Sequence, residues 1–237
     1  MAKIQIDNSL DLGWKREDIM MVTNFPYEYN GVKAMVIEED VFCPFYKFIS
    51  KINTILELYK KGVIERDMVY WYHDFDSYQN NLFTEEELGL DGVDVGWTDY
   101  GRISRWSGGN FFFKYNTRDI FGWIRDDVYK IAETIKPQDE FFDYSKFSEE
   151  LSLERMTDKN FNNINSRIKR LNITYNFGMR TVYTNYTNAI KPIRILHFHP
   201  YNKILNTLAI AMYGKNSLKK PLMEERLIKV FQAHGVV

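Results

Sequence analysis

The order of strand, helix and strand in the first third of the sequence constrains the fold more than any other feature. Apolar runs at residues 34–37 and 68–72 have the length and composition of buried strands. Between them, apolar residues recur at three- and four-residue steps from Phe45 to Tyr59. That spacing predicts an amphipathic helix that ends near Gly62, after two lysines. Strands that alternate with a helix favour an α/β fold with a parallel sheet.

The rest of the sequence mixes helices with short strands. Residues 19–22 form another apolar run, and residues 93–95, between two glycines, are predicted as a loop or a very short strand. Further strands are predicted over residues 111–114 and 193–198, and helices over residues 117–135, 148–155 with Ser148 as the cap, 161–171, and twice within 203–234. The pattern predicts one α/β domain with a helical tail.

Composition excludes several classes of protein. The 237 residues are 45% hydrophobic, which is enough for the core of one large domain. Cys43 is the single cysteine, so intrachain disulfides and cysteine-rich zinc sites are excluded. A net charge of -1 gives no general attraction to nucleic acid. No apolar run reaches the length of about 18 residues that a membrane span needs, which predicts a cytoplasmic protein without membrane insertion.

The sharpest local motif is His73-Asp74-Phe75-Asp76, which follows directly on the apolar run at residues 68–72. In an open parallel sheet, ligands collect outside the carboxyl ends of the strands. Two carboxylates at positions i and i+2 can converge on one hard cation. The alternative is a solvated acidic turn, but such a turn does not need a buried strand to lead into it.

A second motif, which runs from His197 to Lys203, also follows an apolar run. A neutral imidazole can complete the coordination of a divalent metal, and a lysine can neutralise a phosphate. The alternative for His197 is a packed core histidine. His199, two residues further on, is a second candidate for the metal.

A third motif combines Gly108, Gly109 and Asn110 ahead of a strand. The glycines would let a ligand approach the backbone, and the asparagine could bind sugar hydroxyls. The alternative is an ordinary loop. The sequence lacks the glycine-rich phosphate loop, the dinucleotide fingerprint and the Gly-x-Ser-x-Gly elbow, so it offers no anchor for those mechanisms.

Taken in order, these motifs resemble those of GT-A-type glycosyltransferases, in particular the retaining group that includes glycogenin and bacterial galactosyltransferases. The matching segments are residues 22–24, 74–76, 107–110, 149–150 and 197–203. The resemblance implies a single GT-A-like (Rossmann-like) α/β domain with a mixed, mostly parallel sheet over residues 1–203. Residues 204–237 would form a C-terminal helical extension of the same domain.

The resemblance also assigns roles to individual residues. Asp74, Asp76 and His197 would hold Mn²⁺ or Mg²⁺ against the diphosphate of a nucleotide sugar. The residues that would border the rest of the donor are Thr23 and Asn24 at the base, with Arg102, Gly109 and Asn110 at the phosphate or sugar. Catalytic roles would fall to Glu149 or Glu150 at the reacting face of the sugar and to Lys203 at the departing diphosphate.

In its size and composition the chain resembles the small glycosyltransferases encoded by large DNA bacteriophages, which would place it in a host cytoplasm. Its acceptor would then be a glycan or a hydroxymethylated DNA base. Two basic clusters could track a DNA backbone, namely Arg167, Lys169 and Arg170, and Lys219 and Lys220. The alternative for both clusters is a solvated helix face.

The leading hypothesis is therefore a metal-dependent hexosyl- or pentosyltransferase that uses a nucleotide-diphosphate sugar. The second is a metal-dependent phosphodiesterase or nuclease that uses the same carboxylates and histidines. The third is a non-catalytic sugar-binding protein. The sequence names neither the donor sugar nor the acceptor, because specificity rests on a few pocket contacts.

Overall fold

A computed structural model describes residues 1–43, 46–101, 106–134, 148–179, 182–198, 208, 211–212 and 221–236. The α-helices with described bounds are α1 (Ala2–Asp11), α2 (Ser50–Lys60), α3 (Glu85–Leu88), α4 (Arg118–Thr134), α5 (Glu149–Asp158), α6 (Val182–Asn188) and α7 (Glu225–Ala233). The strands are β1 (Val22–Thr23), β2 (Glu28–Tyr29), β3 (Val32–Lys33), β4 (Met35–Val36), β5 (Tyr70–His73), β6 (Ser77–Gln79), β7 (Val95–Asp99), β8 (Trp106–Phe113), β9 (Ile168–Leu171), β10 (Phe177–Gly178) and β11 (Ile195–His197). The mixed α/β class predicted from the sequence is confirmed.

Two sheets position the candidate site. A four-stranded sheet has the order β5-β8-β7-β9, and a three-stranded sheet has the order β10-β11-β6. The short strands β1 and β4 pair in parallel, and β2 and β3 form a hairpin. Among the described strands, three pairings are parallel and four are antiparallel. The sheets are therefore mixed, but the predicted majority of parallel pairs is not found. The reason is that β8 runs antiparallel to both of its neighbours.

Strand β8 supplies the centre of the core. Phe111 and Phe113 pack into the cluster under helices α2, α4 and α5, whereas Phe112 packs into a cluster on the opposite face. This alternation is the two-residue period of a strand buried on both faces. The ring of Phe111 stacks on Trp97 of β7, with 4.3 Å between the ring centroids. The aromatic surplus of the sequence is in large part core material.

One predicted helix is wrong. Residues 161–171 form a 3-10 helix at Phe161–Ser166 and then strand β9, which pairs in parallel with β7. Asn162 and Asn163 have positive φ, a conformation that interrupts an α-helix and that asparagine tolerates better than most residues. The apolar spacing in this segment therefore belongs to two short elements.

Strand β7 is longer than the predicted loop or very short strand at residues 93–95. It runs through Gly96, where a Cβ atom would lie 2.7 Å from Leu90 and 2.8 Å from Leu171 side-chain atoms. This glycine therefore marks close packing inside a strand, and not a turn. Helix α1 was not predicted, because its apolar face is weak; α4, α5 and α7 confirm predicted helices. The expected boundary between residues 203 and 204 lies outside the described residues.

Asp7 of α1 ties the N-terminal helix to two other parts of the chain. Its carboxylate accepts hydrogen bonds from Tyr29 Oη at 2.8 Å and from Asn30 Nδ2 at 3.0 Å. His234, just after α7, lies 2.7 Å away through Nε2. Burial alone would raise the pKa of Asp7, but these hydrogen bonds outweigh burial and lower the pKa.

We therefore expect Asp7→Asn to lower the free energy of unfolding by about 1 kcal/mol at pH 7. Because the folded pKa is lowered, the carboxylate stabilises the protein above its unfolded pKa of about 3.9, and this contribution is lost as the pH falls below that value. Urea unfolding of the wild type and the variant from pH 7 to pH 3 measures the difference. A difference that grows towards pH 3 would contradict the role of the ionised carboxylate.

Candidate functional site

The Asp-x-Asp motif lies where β5 ends and β6 begins. The backbone N–H of Asp74 donates to Gly109 O of β8 at 2.9 Å, and Tyr72 Oη donates to Asp74 Oδ1 at 2.8 Å. Asp76 is buried, whereas Phe75 between the two acids is half exposed. The turn therefore directs the two carboxylates towards the interior of the protein. The strand before it, β5, is antiparallel to its neighbour β8, whereas the sequence predicted a parallel sheet.

Strand β11 brings His197 to the same place, because it pairs with β6 so that His197 lies opposite Ser77. The imidazole Nε2 atom is 3.3 Å from Asp76 Oδ1. The other ring nitrogen, Nδ1, lies 2.9 Å from Asn176 Oδ1, and the amide of Asn176 in turn donates to Ser107 Oγ at 2.9 Å. An amide oxygen only accepts hydrogen bonds, so Nδ1 donates to Asn176 and the other ring nitrogen, Nε2, faces Asp76.

The chemistry of this donor set fits a divalent cation. One ligand atom from each of Asp74, Asp76 and His197 lies within 4.8 Å of the other two. Carboxylate oxygens suit Mg²⁺ and Mn²⁺, and a neutral imidazole oriented by an amide is a typical additional ligand. The structure thus brings together the three residues that the sequence nominated for a metal.

The two glycines of β8 make room for side chains of the site. A Cβ atom on Gly109 would lie 2.4 Å from His197 Cε1, and a Cβ atom on Gly108 would lie 2.6 Å from Glu149 Oε1. Real Cβ atoms essentially never come this close to other atoms, so a side chain at either position would force the imidazole or the carboxylate to shift. The sequence predicted a close approach by a ligand; the structure shows a close approach by an imidazole and a carboxylate.

Lys51 of α2 connects the Asp74–Asp76 turn to the acidic pair Glu149 and Glu150 at the start of α5. It was not predicted from the sequence as a site residue. Its buried ammonium group lies 3.2 Å from Glu149 Oε1 and 3.5 Å from Asp74 Oδ2, and it donates to Gly108 O at 2.9 Å. Burial alone would lower the pKa of Lys51, but Glu149 and Asp74 outweigh burial and raise the pKa well above its ordinary value. The available signal was a lysine in line with the apolar stripe of α2, one turn before Ile55.

The acidic pair at the start of α5 is held by tyrosines and backbone. Ser148 caps the helix, as predicted, by accepting from Leu151 N at 3.0 Å. Glu149 accepts from Tyr46 Oη at 3.1 Å. Glu150 accepts from Tyr100 Oη and from Gly108 N, both at 2.6 Å. Burial, with the nearby charge of Glu149, raises the pKa of Glu150 despite these two hydrogen bonds.

A cavity of about 1300 Å³ opens onto these residues. The predicted site residues in its lining are Asn24, Asp74, Asp76, Gly109, Glu149, Glu150 and His197. Lys51, Tyr46 and Tyr100 also line the cavity. The volume lies above the range of ordinary small-molecule pockets, so the cavity has space for a ligand as large as a nucleotide sugar.

The other predicted site residues have different surroundings. Thr23 is in β1, where its hydroxyl donates to Phe25 O. Asn110 is fully buried, accepts from Trp71 Nε1 and donates to Tyr175 O. Arg102, Lys203 and the alternative ligand His199 lie outside the described residues.

In the basic cluster, Lys169 and Arg170 lie on β9 and Arg167 lies just before it, so the cluster is not on the helix face that was the alternative to a DNA-binding surface. Arg167 contacts Asp94 and Asp119, each at 2.6 Å. Arg170 contacts Asp99 at 2.6 Å, and Lys169 donates to Gly89 O at 2.7 Å. Each cation thus has a partner within the protein. The second cluster, Lys219 and Lys220, lies outside the described residues.

Comparison with known proteins identifies similar folds but no family. No protein-family model matches the sequence, and no curated protein matches it significantly. The crystal structure of the glycosyltransferase GlyE of Streptococcus pneumoniae TIGR4 is 12% identical, with a TM-score of 0.53 over 98% of this chain and 61% of GlyE. Its apo form is 12% identical, with a TM-score of 0.51 over 98% of this chain and 60% of that chain. The chain thus shares its fold with about three fifths of GlyE.

A glycosyltransferase involved in the glycosylation of the major capsid of PBCV-1 is also 12% identical. That match covers 87% of this chain and 90% of the other, with a TM-score of 0.47.

Within the described ranges, no helix is both long and apolar enough to cross a membrane.

Lys51 gives a stability prediction. Lys51→Met leaves Asp74 and Glu149 without their buried counter-charge, and we expect the free energy of unfolding to fall by about 3–5 kcal/mol. Lys60→Met, on the exposed side of the same helix, is the control and should have little effect. Urea unfolding at pH 7 compares the variants, and a Lys51→Met protein as stable as the Lys60→Met protein would contradict the role.

Gly109 gives a second prediction. Gly109→Ala pushes its methyl group against His197, so we expect weaker Mn²⁺ binding by about 10-fold or more, measured by calorimetry. Gly122→Ala is the control, because a methyl group at this position of α4 would have nothing within 4 Å. The same clash should also lower the free energy of unfolding of Gly109→Ala. Adding His197→Ala removes the imidazole that the methyl group meets, so the double variant should recover part of that lost stability. Additive stability losses in the double variant would rule out the clash.

Proposed function

We propose that the protein is a metal-dependent glycosyltransferase of the GT-A type, which moves a sugar from a nucleotide-diphosphate sugar to an acceptor. The observation that carries the proposal is the convergence of Asp74, Asp76 and His197 in one large cavity. The fold shared with GlyE supports it. In this proposal the three residues hold Mn²⁺ or Mg²⁺, which when bound supplies Lewis-acid stabilisation of the diphosphate leaving group.

The remaining residues would bind and orient the donor. Asn24 lies on the cavity wall formed by the N-terminal part of the chain, where we place the base, with Thr23 beside it. Arg102 and Lys203 would contact the phosphates, and Lys203 would neutralise charge on the leaving group. Gly109 would contribute by admitting the imidazole of His197. Asn110 would act on the donor only indirectly, because its amide is bound to Trp71 and Tyr175.

We place the reacting face of the sugar against the acidic pair at the start of α5. Both Glu149 and Glu150 line the cavity that holds the metal ligands. The ammonium group of Lys51 lies 3.2 Å from Glu149 Oε1, so it would orient this side chain beside the sugar. The raised pKa of Glu150 makes it the better candidate for a proton-carrying group. A retaining outcome follows from the resemblance to the retaining group, and the anomeric configuration of the product, read by NMR, tests it.

For the acceptor we favour a glycan over a DNA base. Arg167 and Arg170 are paired with acids of the same chain, and Lys169 donates to a carbonyl oxygen, so a phosphate backbone would have to compete with these partners. A donor-turnover assay with glycan and hydroxymethylated DNA acceptors, at two salt concentrations, separates the two cases. Transfer to DNA that weakens steeply with salt would reverse this preference.

The decisive test is a thermal-shift screen of nucleoside diphosphates and sugar nucleotides with and without Mn²⁺. We expect one nucleotide to raise the melting temperature only when Mn²⁺ is present. Asp76→Asn should abolish that shift and lower donor turnover by about 100-fold or more, because it removes a ligand of the metal. Asp126→Asn, an exposed aspartate on α4, is the control.

The same screen distinguishes the other two functions. Hydrolysis of nucleic acid without any sugar donor would favour a phosphodiesterase. No metal-stimulated loss of any nucleotide sugar, even with mixed acceptors, would favour a non-catalytic sugar-binding protein.

A further inference from the structure

The feature that the proposed function leaves unexplained is the N-terminal helix, whose side chains reach the back of the Asp-x-Asp turn. Strand β6 is an edge strand of its three-stranded sheet. Ser77 lies opposite His197, and the bond from Phe198 N to Asp76 O at 2.9 Å sets the hydrogen-bond pattern. In that pattern the backbone groups of Ser77 point away from β11.

Two amide side chains of α1 cover this open edge. Gln5 Nε2 donates to Phe75 O at 3.2 Å and also to Ser77 O. One turn further along the helix, Asn8 Nδ2 donates to Gln79 O at 3.1 Å, and Arg226 Nη2 donates to the same oxygen at 3.1 Å. Gln5 and Asn8 are both buried. An edge strand otherwise needs water or another strand to satisfy these carbonyl oxygens.

The position of the Gln5 contacts is specific. Phe75 and Ser77 are the residues on either side of Asp76, so a single amide group holds the backbone on both sides of a metal ligand. Two backbone hydrogen bonds, from Ser77 N to Asp74 O at 3.1 Å and from Phe198 N to Asp76 O, hold the same turn. Together with the Gln5 contacts, they fix the path of its backbone. Asn8 acts two residues further along β6, away from the ligands.

We propose that Gln5 is a positioning residue that holds the Asp74–Asp76 turn in the shape that binds the metal. The proposal rests on the proposed function for its purpose, but not for its geometry. Gln5 is not one of the three candidate ligands; its amide contacts the backbone on both sides of Asp76, and it acts through that backbone. Loss of partners that orient metal ligands typically costs 10–100-fold in metal affinity.

The test compares Gln5→Ala with Asn8→Ala, which removes a buried amide from the same face of the same helix. We expect Gln5→Ala to weaken Mn²⁺ binding by about 10–100-fold in calorimetry, and Asn8→Ala to leave it within about twofold. Both variants remove a buried hydrogen bond from the open edge of β6, so a purely structural role would move the two affinities in the same direction. Gln5→Met, which keeps the length of the side chain, replaces Gln5→Ala if that variant does not fold.

A second readout needs no metal. We expect Gln5→Ala to accelerate hydrogen exchange of the Ser77 amide in the metal-free protein, and Asn8→Ala to leave that rate unchanged. If the wild type binds Mn²⁺ and Gln5→Ala binds it equally well with unchanged Ser77 exchange, the inference about Gln5 is overturned and the proposed function stands. If the wild type binds no Mn²⁺ but Ser77 exchange responds only to Gln5, the metal function fails and the bracing role stands.

Discussion

The candidate site depends on the ion pairs that the buried ammonium group of Lys51 forms with Asp74 and Glu149. This group joins α2, the end of β5 and the start of α5, three elements that are distant in the sequence, within 3.5 Å of one nitrogen atom. Burying Glu149 alone would cost several kcal/mol, which Lys51 offsets, and the partly exposed Asp74 shares the same cation. The geometry of the acids is therefore coupled: a shift in either carboxylate changes the surroundings of the other.

Strand β8 serves the core and the site in one stretch. Phe111, Phe112 and Phe113 fill the two faces of the sheet, whereas Gly108 and Gly109, just before them, have no side chains. The gap that these glycines leave is occupied by the imidazole of His197 from one sheet and the carboxylate of Glu149 from a helix. The two glycines thus allow the two sheets and α5 to meet without a bulky side chain between them.

The parts of the site that the sequence predicted are local in the chain. Asp74 and Asp76 follow a run of strand-forming residues, and His197 ends another, so the strand pattern alone places them at strand ends. Lys51 and Gln5 could not be found in this way, because their partners are 23 and 70 residues away. The place of Lys51 in line with the apolar stripe of α2 indicates that it is buried, but not which acids it contacts. The error at residues 161–171 has the opposite cause: the spacing was regular, but Asn162 and Asn163 adopt positive φ and end the helix.

Charge gives an independent reason for a cation in the cavity. Among the described residues, its lining includes the carboxylates of Asp74, Asp76, Glu149 and Glu150 against the ammonium groups of Lys47 and Lys51. The carboxylates of Asp74 and Asp76 on this wall repel a diphosphate unless a divalent cation is bound between them. Of the two lysines in the lining, Lys51 already contacts Asp74 and Glu149. If the donor is a nucleotide-diphosphate sugar, its affinity must then rise with the occupancy of the Asp74, Asp76 and His197 group, so metal binding and donor binding are thermodynamically linked.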